Sequence, residues 1–396
     1  MTYRPRQAAS GHIPPEIRAA ADYERLAPGY LADPVHAYVC GGCGEDRTVA
    51  ANRAAFGRFS IVPRVLCDPA GAGTGVRLAG EPFDHPLLVA PVALQRLVHP
   101  GAEIESARGA AAADAGIVVS TLASSTLEDI AAVAGPRRWF QLTIQPSPAA
   151  TLALLERAEA AGYRAIVVTL DATIQMASAG ALRAGFRMPD DCRPANLADD
   201  VERDIEGERA GKGNGNGNGN GRIFAEAARV APTWDLLDGV LARSRVPVWA
   251  KGVLHPDDAR RLQARGVAGI VVSNHGGRTV DGVPSSLAML PAIRRAVGPD
   301  YPLILDGGIR SGADAFVAIA LGADAVLAGR LPLFALGIAG ALGVAHVLRL
   351  LREELEACMV VTGCRSVADI SPDRLVPGEL AGRPFGATTQ ERPHQC

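Results

Sequence analysis

Eight short apolar, β-branched segments recur between residues 87 and 329, and the stretches between them carry leucines and alanines at helical spacing. This alternation restricts the fold more than any other feature, because strand and helix signals in turn build parallel sheets. Eight such units suffice to close a barrel. The segments are LLVA (87–90), IVVS (117–120), WFQLT (139–143), AIVVTL (165–170), VPVWAK (246–251), GIVVS (269–273), PLILD (302–306) and AVLAG (325–329). The chain is therefore predicted to be an α/β protein, a (β/α)8 TIM barrel over residues 81–375. Residues 1–80 are expected as a helical extension packed on it and residues 376–396 as a C-terminal tail. The length of 396 residues fits one such domain.

One stretch interrupts the pattern. ERAGKGNGNGNGNGRIF (208–224) alternates Gly and Asn and has too little apolar surface to offset its ordering entropy. A mobile, solvated insert over about residues 191–224 is expected. The uncharged run Leu331 to Ala345 carries three glycines and falls short of the ~20 residues of a membrane span, so it reads as a buried barrel helix.

Lys plus Arg number 40 against 42 Asp plus Glu, and a net charge of -2 offers no general attraction to nucleic acid or an anionic membrane. Neither partner is expected. The N-terminus, MTYRPRQAASGHIPPEIRAA, lacks the apolar core of a secretory signal, so a cytoplasmic location is expected. The 7 cysteines are scattered, and Cys40 and Cys43 form a C-x-x-C without a second pair at zinc spacing. Reduced, packed thiols and no metal are expected.

In a barrel of this kind chemistry gathers where the strands end. GIVVSNHGGRTVDG (269–282) runs from a buried strand straight into Ser273, His275 and Arg278. The matching ends of the other strands carry Ala90 and Pro91, Ser120, Gln141 and Thr143, Thr169 and Asp171, Lys251, Asp306 and Arg310, and Gly329 and Arg330. In LDGGIRSG (305–312) two glycines let the backbone approach a ligand, and Arg310 with Arg330 supplies two guanidinium forks. A phosphate cradle after strands seven and eight follows. It suits a phosphosugar, a phosphorylated cofactor or a flavin mononucleotide, and an inward Lys251 beside an isoalloxazine would favour negative charge on the ring. His275 with Asp171 can accept a proton at neutral pH, and Arg278 can hold a carboxylate. Base, anion clamp and flavin together describe an oxidation at a carbon next to a carboxylate.

At these residues the chain resembles the FMN-dependent 2-hydroxy acid oxidases and dehydrogenases, the group of glycolate, lactate and mandelate-oxidising enzymes. The resemblance runs from about Tyr38 to Ser371 and rests on SNHGGR-x-x-DG-x-P, LDGGIR-x-G-x-D and KGV in combination. It implies non-covalent FMN held by Ala90, Pro91, Val92, Ser120, Gln141, Thr169, Lys251, Ser273, Asp306, Gly308, Arg310, Gly329 and Arg330. It also implies His275 as the base, Asp171 as its partner, Arg278 on the substrate carboxylate and Tyr38 against the substrate. A homo-oligomer, a tetramer by the same resemblance, is implied as well. The final electron acceptor is left open among oxygen, a quinone and a protein.

Two family positions differ. The tyrosine usual after strand three, in Q-L-Y, is replaced by Thr143, and the arginine that completes the usual carboxylate clamp after strand four is replaced by Ser178, in DATIQMASAGALRAGF (171–186). Three readings follow: Arg183 rebuilds the clamp from five residues further on; the substrate is a larger secondary-metabolite intermediate with one anchored carboxylate or none; or the chain is a catalytically impaired FMN-binding protein. Short side chains at Thr143 and Ser178, with Leu122 at the mouth, favour a bulky or aromatic 2-hydroxy acid oxidised to its 2-oxo acid.

Overall fold

The computed structural model describes residues 3–197, 223–224, 227 and 231–378. Eight parallel strands close a barrel in chain order. They are β1 (Leu87–Val89), β2 (Gly116–Ser120), β3 (Arg138–Thr143), β4 (Ile166–Thr169), β5 (Val248–Val253), β6 (Gly269–Val272), β7 (Leu303–Asp306) and β8 (Ala325–Ala328), and β8 pairs back onto β1. Every segment expected from the sequence is a strand, displaced by no more than two residues at either end.

The two-residue period of a strand sorts the side chains. Leu88, Val118, Trp139, Val167, Trp249, Val271, Ile304 and Leu327, one from each strand, form a single interior cluster. Their neighbours, among them Leu87, Val89, Phe140, Val168 and Val272, belong to the layer shared with the helices. Trp139 packs at 5.0 Å from Trp249, and Phe83 meets Trp139 edge-on at 5.9 Å. The barrel interior is thus a filled floor, as burial of the aromatic rings requires. Two residues further along each strand the same inward position holds Ala90, Ser120, Gln141, Thr169, Lys251, Ser273, Asp306 and Gly329. One pleat therefore separates the apolar floor from the polar ring above it.

The first 80 residues are not solely helical. Helices Asp22–Tyr30, Asp33–Cys40 and Arg47–Ala54 are followed by strand Phe59–Ile61, which pairs antiparallel with Leu375–Pro377. That pairing draws the start of the expected tail into the fold. A hairpin, Val76–Leu78 with Glu81–Phe83, crosses the expected domain boundary and delivers Phe83 to the barrel floor.

The run at 331–345 opens a longer helix, Arg330–Thr362, broken at Ala339 and Gly340, where φ reaches 56° at the glycine. By length and composition this helix could cross a membrane, but 78% of its most apolar window is buried inside the protein. It packs against helix Ala102–Ala112 and the N-terminal helix Asp22–Tyr30. Of the expected insert, residues 191–197 are tied to the fold: Asp191, Arg193 and Ala195 are exposed, but Cys192 and Asn196 are buried, and Asn196 Oδ1 accepts from Leu127 N at 2.8 Å. The Gly/Asn repeat itself lies outside the described residues. Burial pushes the Cys40 thiol up to about 11, and its sulfur lies 3.2 Å from His36 Nε2.

Candidate active site

A cavity of about 550 Å3 opens above the polar ring, within the size range of cofactor and ligand sites. Of the residues expected there, Tyr38, Ala90, Pro91, Val92, Ser120 and Leu122 line it. So do Gln141, Thr143, Thr169, Lys251, His275 and Arg278, and the group Asp306, Gly308, Arg310, Gly329 and Arg330. Ser273 and Asp171 stand behind the wall, in contact with lining residues. Arg183 does not reach the cavity: it ends the short helix Ala179–Arg183, its side chain is 70% exposed, and it pairs with Glu45 at 2.9 Å. The rebuilt-clamp expectation is corrected accordingly. Ser178 is committed elsewhere too, since its hydroxyl caps the same helix and donates to Asp46 at 3.2 Å.

Ser273 organises the polar ring. Its hydroxyl donates to Asp306 Oδ2 at 2.6 Å and accepts from Lys251 Nζ at 3.2 Å and from His275 N at 2.9 Å. Lys251 also pairs with Asp306 at 3.2 Å. Burial disfavours the Lys251 ammonium, but Asp306 and Asp171 outweigh it and raise its pKa, so the cation is fixed in place. Across the ring Gln141 Nε2 donates to Thr143 and Thr169, each at 2.9 Å, and its Oε1 accepts from Ser120 at 3.1 Å.

His275 lies at φ 58°, a left-handed conformation uncommon outside Gly, which Asn, Asp and His enter more readily than other residues. Its Nδ1 meets Asp171 Oδ1 at 2.9 Å. A carboxylate only accepts hydrogen bonds, so Nδ1 carries a proton, and in the neutral ring Nε2 offers its lone pair to the cavity. Burial opposes ionisation of Asp171, yet His275, and then Lys251, hold its carboxyl below the usual value. The carboxylate fits because β5 bulges at Gly252, where φ is 98°: a Cβ there would lie 2.3 Å from Asp171 Cγ. The KGV motif thus makes room for the partner of the base, a role that its sequence alone did not reveal.

Three guanidinium groups gather on the other side. Arg330 donates to the carbonyls of Val39 at 2.8 Å, Gly41 at 2.8 Å and Gly276 at 3.0 Å, and among the described residues it has no carboxylate partner. Burial first, and then repulsion by Arg278 and Arg310, lower its pKa to about 10. Such a partly buried cation without a carboxylate of its own calls for an anion. Arg310 is oriented by Glu24, which takes its Nε at 2.6 Å and Nη2 at 3.0 Å. Glu24 lies on the N-terminal helix and carries no motif that would have singled it out. Gly308 completes the cradle at φ 87°, where a Cβ would lie 2.5 Å from the Asn52 carbonyl. This set of donors fits a phosphate, and the cavity leading from it to Lys251 and His275 fits a flavin mononucleotide.

Arg278 spends both Nη1 hydrogens on the carbonyls of Tyr38, at 3.0 Å, and Gly41, at 2.8 Å. Its Nε and Nη2 take no acceptor among the described residues. That remaining edge is the side-on fork that matches a carboxylate.

The chain matches the family model described as FMN-dependent dehydrogenase over residues 27–377. It is 59% identical to an L-lactate oxidase of Alicycliphilus denitrificans, over 93% of this chain and 99% of the relative. A 4-hydroxymandelate oxidase of Amycolatopsis orientalis is 41% identical over 88% of this chain and 95% of the relative. Among solved structures, a mandelate oxidase with (S)-2-phenylpropionate superposes with a TM-score of 0.79 at 38% identity, covering 90% of this chain and 97% of that one.

Proposed function

The chain belongs to the FMN-dependent 2-hydroxy acid oxidase and dehydrogenase family, and from that premise we propose that it oxidises a bulky or aromatic 2-hydroxy acid. FMN is its cofactor, and its relatives are FMN-dependent oxidases that convert 2-hydroxy acids to 2-oxo acids. The observation that carries the reading of the substrate is the free guanidinium fork of Arg278, with Ser178 where a second clamp arginine would stand, in a cavity also lined by Leu97, Leu122, Ile144 and Leu197. One charged contact orients a compact acid poorly. A larger apolar substituent adds buried surface that steadies it.

In this reading Arg310, Arg330 and the backbone at Gly308 would hold the FMN phosphate, and Lys251 and Gln141 would serve its ring. When bound, FMN supplies an acceptor for two electrons. Arg278 binds the substrate carboxylate and thereby sets the hydroxyl-bearing carbon near His275. His275 Nε2 takes a proton, and Asp171 stabilises the resulting imidazolium through Nδ1. The names of the relatives support dioxygen as the final acceptor, so that a 2-hydroxy acid and O2 give a 2-oxo acid and H2O2. An intact His275–Asp171 pair favours turnover over a binding-only role.

A second reading, L-lactate as substrate, is favoured by the 59% identity to an L-lactate oxidase. A comparison of steady-state turnover on (S)-mandelate and L-lactate separates the two. The missing clamp contact weakens both acids alike, but burying a phenyl group instead of a methyl recovers about 2 kcal/mol, so kcat/KM for mandelate should exceed that for lactate by at least ~10-fold. Arg183→Ala should leave both within about twofold, as expected of an exposed surface pair. Lactate turnover as fast as mandelate turnover, lost on Arg183→Ala, would overturn the open-pocket reading.

A further inference from the structure

The carboxylate clamp is braced by a column of aromatic rings. The Arg278 guanidinium lies over the ring of Tyr38, 4.6 Å from its centroid. Phe186 stacks on the same ring at 4.1 Å and 13°, and Tyr3 stacks on Phe186 at 5.9 Å and 13°. Local structure delivers Phe186 to this place. Helix Ala179–Arg183 begins at the Ser178 cap and is closed by Gly185 at φ 71°, after which Phe186 N donates back to Ala181 O at 3.0 Å. The Tyr3 hydroxyl locks the turn, accepting from Arg187 N at 2.9 Å. The segment that lacks the family's second arginine thus ends in a ring pressed against the residue that holds the first.

We propose that Phe186 is a positioning residue for the substrate carboxylate. It fixes the ring of Tyr38, and Tyr38 in turn fixes Arg278 twice, through its ring and through its carbonyl. A two-arginine clamp defines a carboxylate from both sides. A lone arginine must be immobilised beforehand, or substrate binding carries the entropy of ordering it. Phe186 thereby selects for acids without touching them. The inference rests on Arg278 as the carboxylate anchor.

The test uses the FMN-loaded protein and two unreactive probes, phenylacetate and phenylacetamide, with binding read from the flavin absorbance. Phe186→Ala should weaken phenylacetate about tenfold, the scale of one lost aromatic contact, and phenylacetamide by less than about twofold. KM for (S)-mandelate should rise in parallel, with kcat lowered by no more than about threefold. Phe186→Tyr should restore acid binding. Unchanged phenylacetate binding in Phe186→Ala, or equal weakening of acid and amide, would overturn the proposal. Failure of the wild type to turn over any 2-hydroxy acid would count instead against the oxidase reading, and the two probe constants would still decide the role of Phe186.

Discussion

Replacing His275 with Asn is expected to slow reduction of the bound flavin by ~100-fold or more, the scale on which a positioned general base contributes. The choice of Asn matters. His275 sits at φ 58°, and Asn adopts left-handed backbone more readily than most residues, so the strand-end turn is retained. The Asn amide can donate to Asp171, which would otherwise be left buried without its partner at 2.9 Å. Neither position lies among the phosphate-binding groups, so FMN should remain bound with an unaltered stoichiometry. Rapid-mixing absorbance under anaerobic conditions measures the rate. Equal rates in wild type and variant would assign the proton transfer to another group.

Replacing Arg330 with Met should weaken FMN binding by about two orders of magnitude or more, since one or two charge-assisted hydrogen bonds at ~1.5–3 kcal/mol each are removed. Arg330 is the cation of the cradle with no carboxylate of its own among the described residues, whereas Arg310 is already paired with Glu24. Its pKa, held down near 10 by burial and by the neighbouring arginines, is what a dianionic phosphate would relieve. Arg330→Lys, which keeps the charge and loses the fork, should fall between the two. Thermal melting of the apo forms checks that the Val39, Gly41 and Gly276 carbonyls, left without their donor in the Met variant, have not unfolded the chain. FMN affinity unchanged in a folded Arg330→Met protein would place the phosphate elsewhere.

The barrel was legible because its strands are buried on both faces and so read as continuous apolar runs, set apart by helical stretches, with Trp139 and Trp249 on the inner face and their neighbours on the outer. The polar ring was legible because polar residues end those runs, and the structure places Gln141, Lys251 and Asp306 each two residues beyond an interior apolar side chain. What could not be read depends on contacts distant in sequence. Arg183 was within reach of the cavity by chain length, but the Ser178 cap and the pairing with Glu45 turn it outward. Glu24 meets Arg310 across 286 positions, and Phe186 meets Tyr38 through a turn with no family motif. The strand at Leu375–Pro377 is too short to show a period and forms through its pairing with Phe59–Ile61.

The central claim, that this chain uses FMN to oxidise a 2-hydroxy acid, is tested most directly by anaerobic titration of the FMN-loaded protein with (S)-mandelate. The expected result is complete bleaching of the flavin absorbance at one equivalent, with one equivalent of the 2-oxo acid formed and the colour restored on admitting oxygen. A flavin spectrum unmoved by mandelate, lactate or glycolate at millimolar concentration would contradict it.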